Sequence, residues 1–163
     1  MKKINIIVII VVINFIFQTS LYNYLDIFGL IPNISLIFVV IFAMMTNGIK
    51  GGAIGIITGM LYDIMLYDVF GVYTLIYFII GSVIGSFSED VNRENYILYS
   101  IATMLATLFF HVLLYILLFF LKYNVENIGY IVKNILLQMV FNTVVSIFVL
   151  KFVVYLFDKF SVK

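Results

Sequence analysis

The chain has no cysteine and no tryptophan, and only one proline and one histidine in 163 residues. Charged residues make up only 10% of it. Each shortage removes a class of function. Without cysteine there are no disulfides, iron–sulfur clusters, thiolate zinc sites or cysteine nucleophiles. A single histidine excludes the common multi-histidine metal sites. A net charge of +1 excludes the basic footprint of a nucleic-acid-binding protein. What fills the chain instead is apolar: 65% hydrophobic residues and a mean hydropathy of +1.23, where a soluble domain carries about 25% charged residues. A chain of this length cannot hide so much apolar surface from water. The expected class is an all-α polytopic membrane protein.

Six apolar segments separated by short polar breaks cover residues 4–22, 30–46, 51–66, 70–87, 96–121 and 128–157, to within a few residues. They predict six transmembrane helices in one compact bundle, with sequential helices adjacent and mostly antiparallel. Met1-Lys2-Lys3 and the apolar run behind it resemble a signal peptide. No small-residue cleavage pair follows, so an uncleaved first span is expected. Pro32 is expected in the first turn of the second helix, where its missing N–H costs nothing.

The third segment is short. Its sixteen residues give roughly 24 Å of helix against a ~30 Å hydrocarbon core, so it either spans a thinned bilayer or re-enters. Charge distribution favours spanning. With six spans and a cytoplasmic N-terminus, Lys2, Lys3, Lys50, Arg93, Lys151, Lys159 and Lys163 lie inside, and only Lys122 and Lys133 lie outside. That follows the positive-inside rule. Re-entry would turn Arg93 and the C-terminal lysines outward. Both termini are therefore expected in the cytoplasm.

The third and fourth segments carry a pattern around which the rest of the chain is expected to pack. Gly51, Gly55, Gly59 and Asp63 recur at every fourth residue, on one helix face. Gly81 and Gly85 repeat the spacing on the next helix. In lipid such a face lets another backbone approach closely. By the six-span topology Asp63 and Asp68 lie near the outer surface, where a carboxylate can reach water. Asp68 reads as a solvated loop residue.

Polar residues within the other spans are few. Asn14 and Gln18 are one turn apart on the first helix. Asn134, Gln138, Asn142 and Ser146 form a stripe on the sixth. The stripe could line a polar binding cavity or bond to neighbouring helices. The second is favoured, because amides on one face of a lipid-embedded helix usually find interhelical partners. His111 reads as a buried histidine bonded to a neighbouring helix rather than a proton relay or ligand. Residues 88–95 form a cytoplasmic turn of mixed charge, with Ser88 placed to cap the helix that follows. Tyr22, Tyr24, Tyr67, Tyr73, Tyr96, Tyr99, Tyr123, Tyr130 and Tyr155 gather near segment ends, as an interfacial aromatic belt does. No nucleophile–base pair, acidic metal motif or phosphate clamp accompanies them, so no enzyme and no cofactor are expected.

The ordered combination is Ile31-Pro32-Asn33 opening an apolar helix, then Gly55-x3-Gly59-x3-Asp63, Gly71 after a short loop, and Gly81-x3-Gly85. It resembles the family of the rod-shape-determining protein MreD. The resemblance is firmest over residues 32–85. The family often has Asp after the proline, where this chain has Asn33. The later helices match in hydropathy alone. The resemblance implies a non-enzymatic component of the bacterial cell-elongation machinery, in the cytoplasmic membrane. Its implied partners are an MreC-like protein, a RodA-type glycosyltransferase, a class B penicillin-binding transpeptidase and the MreB cytoskeleton. Pro32, Gly51, Gly55, Gly59, Asp63, Gly71, Gly81 and Gly85 would then form packing or partner interfaces. The fold of that family is similar to the six-helix S components of energy-coupling-factor transporters. The alternative function is accordingly a small-molecule-binding transport subunit, with Asn134, Gln138 and Asn142 lining its pocket.

Overall fold

The computed structural model of the chain describes residues 7, 9–16, 31–66, 70–88, 95–122 and 128–159. All regular structure among them is helical. We label residues 9–16 α1, and the following helices α2 (Ile34–Met44), α3 (Gly48–Leu66), α4 (Val72–Ser86), α5 (Tyr96–Phe120) and α6 (Ile128–Lys159). Tyr96–Phe120 and Ile131–Lys159 are each long and apolar enough to cross a bilayer unaided. Most of their length is outward-facing, as a lipid-exposed helix requires. The chain is a multi-pass α-helical membrane protein. The outer ends of the first predicted span, with Gln18, lie outside the described residues, as do Asp68, Arg93 and the tyrosines at 22, 24, 67 and 123.

The helix at the centre is α2, not the glycine hairpin. Every residue from Ser35 to Met44 is buried, none more than 6% exposed. It packs against α3, α4, α5 and α6, and Ile7, Val11 and Phe15 at the N-terminus join the same core. An apolar helix without a polar face fits a fully enclosed position. In a membrane protein the lipid-facing helices are also strongly apolar, so composition alone cannot show which helix is enclosed.

Helix ends differ from the sequence reading in three places. Pro32 does not enter the first turn of α2. It precedes Asn33, which is the N-cap, its Oδ1 accepting from Leu36 N–H at 2.9 Å. The third helix starts at Gly48 rather than Gly51, because Asn47 caps it by accepting from Lys50 N–H at 3.0 Å. Its 19 residues give ~28 Å, close to the hydrocarbon thickness of ~30 Å, so the shortness that raised re-entry disappears. Finally, Asn95 rather than Ser88 caps α5, accepting from Leu98 N–H at 3.2 Å. Ser88 instead donates to the Gly85 carbonyl at the end of α4, at 2.7 Å.

Candidate functional site: the α3–α4 hairpin and the polar junction at the entrance of α2

The hairpin is a zip of backbone on backbone. A side chain at Gly51 would be driven into the Gly81 carbonyl, at Gly55 into that of Tyr77, and at Gly59 into the Thr74 backbone. Gly81 and Gly85 reciprocate against Gly51 and Asn47. The contacts run in antiparallel register, so the two stripes read from sequence face each other. Gly51 also lies against Ala43 of α2, which makes it a three-helix contact. Gly71 does something else. No atom lies within 4 Å of where its Cβ would be, and its φ of 104° is the left-handed conformation that glycine adopts without steric cost. It makes the turn rather than a packing contact.

Asp63 is not at a wet interface. It is 2% exposed. Its carboxylate accepts from the backbone N–H groups of Tyr73 and Thr74, both at 2.9 Å, and from the Thr74 hydroxyl. Those amides are the second and third of α4, the ones an N-cap side chain normally satisfies. The N-cap itself is Gly71, which has no side chain to offer. The last turn of α3 thus supplies the cap of α4. A negative charge also lies where the helix dipole favours it. The expectation of solvation fails because the partners are backbone amides, which leave no mark in the sequence.

The second feature is a polar junction at the start of α2. Asn33 N–H donates to Asn142 Oδ1 at 2.9 Å, and Asn142 Nδ2 donates to Thr107 Oγ1 at 3.2 Å. One side chain on α6 thereby joins α2 and α5. Gln138 Nε2 donates to the Ile31 carbonyl at 3.1 Å. Tyr77 of α4 donates to Asn33 Oδ1 at 3.1 Å. Asn14 Nδ2 donates to Ser35 Oγ at 2.7 Å, and that hydroxyl shares a 3.0 Å hydrogen bond with Tyr62 OH. Five helices and the α2 entrance therefore meet through side chains of modest polarity. Of the α6 stripe, Ser146 bonds within its own helix, to the Thr143 carbonyl at 2.7 Å, and Asn134 is half-buried.

His111 is buried, and its Nδ1 lies 2.8 Å from the Thr107 carbonyl of its own helix. The expected bond to a neighbouring helix is replaced by one a single turn back along α5. The ring stands edge-on to Phe110 at 5.3 Å. Tyr73 and Tyr99 are also corrected: both are core residues, not interfacial anchors. Tyr73 stacks on Tyr62 at 5.7 Å, and Tyr77 stacks on Phe110 at 5.6 Å. Tyr155 is exposed and Tyr96 half-exposed, as anchors should be.

Sequence reasoning did not single out Ser35, Tyr62, Tyr77 or Thr107. The usable signal was position: Ser35 follows the Pro32-Asn33 entry, and Tyr77 lies four residues before Gly81 on the same face of α4. Gly51, Gly55, Gly59, Gly81, Gly85, Asp63, Gln138 and Asn142 are engaged in contacts within the chain itself. Among the described residues there is no group of three or more His, Cys, Asp or Glu side chains able to hold a metal ion.

No curated protein and no solved structure gave a significant match to the chain. The family model for the rod shape-determining protein MreD matches residues 1–157. With that match spanning nearly the whole sequence of this multi-pass helical membrane protein, the chain belongs to the MreD family.

Proposed function

We propose that the protein is a non-enzymatic scaffold of the bacterial cell-elongation machinery, resident in the cytoplasmic membrane. In this reading it supports lateral peptidoglycan synthesis and rod shape by docking an MreC-like protein, a RodA-type glycosyltransferase and a class B transpeptidase, with direct or indirect linkage to MreB. The observation that carries the reading is the family match over residues 1–157. The interior supports it physically, because Asn14, Asn33, Ser35, Asp63 and Asn142 bond across helices. A scaffold needs a rigid interior and free outer faces. The outer faces of α5 and α6 are large and apolar, with Leu105, Phe119, Val140 and Phe148 among their exposed side chains. The glycines at four-residue spacing then act indirectly, by holding the hairpin closed.

The test is co-purification from native membranes followed by mass spectrometry. Recovery of an MreC-like protein and a class B transpeptidase with the tagged chain is expected. Recovery of neither, from cells that express both, would sink the reading. The orientation is tested separately on the cysteine-free chain. A single cysteine at Ser161 should resist an impermeant thiol reagent added from outside, and one at Asp68 should react.

A further inference from the structure

The groove between α5 and α6 is lined by Tyr96, Ile97, Ser100, Met104, Thr143 and Ile147, among others, and encloses about 300 Å³. Lys151 lies one turn beyond Ile147 and two turns beyond Thr143 on the same face of α6. Its Nζ stands 5.9 Å from the centre of the Tyr96 ring, at the groove's mouth. Lys151 is exposed, and among the described residues it has no ion pair.

Depth along α6 gives this cation a meaning. Lys133 and Lys151 bracket residues 134–150, which carry no charge. The two lysines are about 27 Å apart along the helix, which matches a hydrocarbon core of ~30 Å. Lys151 therefore lies at the level of lipid phosphates, with an apolar groove running from it toward the membrane interior. The cation matches a phosphate, and the groove matches an acyl chain. We propose that the α5–α6 groove is a binding site for an anionic phospholipid, whose chain lies along Ser100, Met104 and Thr143 and whose phosphate pairs with Lys151. The larger groove between α4 and α5, about 500 Å³ and lined by Ile80, Val83, Ala102, Phe109 and Val112, among others, has no such cation among the described residues that line it, and nothing in the structure shows what covers it.

The site is independent of the scaffold reading, and its test needs no partner protein. The full chain would be purified in detergent, and retained lipid counted by native mass spectrometry after exchange with phosphatidylglycerol or phosphatidylcholine of identical chains. Phosphatidylglycerol should be retained in preference. Lys151→Gln should lower its retention about five-fold, as expected for one basic residue at an anionic surface. Met104→Trp, which fills the groove and changes no charge, should lower it as well. Lys133→Gln, at the other end of the helix, should leave it unchanged. Equal retention of the two lipids, or no effect of Lys151→Gln, would overturn the site in favour of a lysine that merely reaches for water. A photo-crosslinker at Met104 in intact membranes covers the case in which a variant fails to fold. It should label phospholipid, and labelling of a protein instead would assign the groove to a partner helix and overturn the proposal.

Discussion

Between α3 and α4 the helices meet through side chains that are missing. Between α2 and α6 they meet through side chains that bond. The hairpin relies on close backbone approach at Gly51, Gly55 and Gly59. The junction relies on Asn33, Asn142 and Gln138. Lipid cannot squeeze helices together as water does, so contact must come from dense packing or from hydrogen bonds. The difference teaches where each is vulnerable. A glycine contact cannot be relaxed, because both walls are backbone. A hydrogen-bonded contact loses a modest increment when one bond goes.

The largest effect should come from Gly55→Leu. Its side chain meets the Tyr77 backbone with nowhere to go. We expect destabilisation at or beyond the top of the ~1–3 kcal/mol range for overpacking, read as loss of a monodisperse peak and a lower melting temperature in detergent. Gly52→Ala sharpens the point. The nearest atoms to its Cβ belong to the Ser82 and Phe78 side chains, which can move. A Gly52→Ala melting temperature as low as that of Gly55→Leu would refute the distinction between backbone and side-chain walls.

Asp63→Ala comes next. It strips three hydrogen bonds from the start of α4. Bonds to a charged acceptor contribute about 1.5–3 kcal/mol each, and these are mutually dependent, so a loss on the order of 3 kcal/mol is expected. Asp63→Asn keeps one acceptor oxygen and should lose less. Hydrogen exchange at Tyr73 and Thr74 would read this directly. Protection unchanged in Asp63→Ala would show that the carboxylate is not the cap.

Asn142→Leu is expected to cost about 1 kcal/mol, since interhelical bonds in membranes average ~0.6 kcal/mol. A double-mutant cycle with Thr107→Val should give a coupling of that order. Additivity of the two substitutions would remove the bond from the account. The smallest effect should be Asn33→Asp. Asp and Asn cap helices almost equally, and either can accept from both Leu36 N–H and Tyr77 OH. A change above ~1 kcal/mol in melting experiments would mean that the Asn33 side chain does more than accept.

The order of the apolar helices was legible in the sequence, and so was the glycine register. Residues at four-residue spacing must share a helix face, and two such faces on adjacent segments naturally meet. The central position of α2 was not legible: Ile34–Met44 is more apolar than α5 or α6, but a strongly apolar helix in a membrane protein can as well face lipid as be enclosed. Asp63 was misplaced for a different reason. Hydropathy locates a carboxylate by depth, and depth alone argued for water, whereas the deciding partners were the unpaired amides of a helix start. His111 shows a third limit. A buried ring in lipid must find a partner, but the sequence cannot tell a carbonyl one turn back from a side chain on another helix.

The cap of α4 also bears on how the protein enters the membrane. Asp63 and its partners are ten and eleven residues apart in the chain. The charge and the amides that stabilise it leave the ribosome almost together. They can cross into the bilayer as one helical hairpin, with the carboxylate never alone in lipid. Asn33 has to wait. Its partner Asn142 is made 109 residues later, so the central helix is held at its entrance only after the last helix has arrived. A biosynthetic intermediate ending after α4 would already hold the Asp63 carboxylate in place, while the entrance of α2 stayed open for α6 to close.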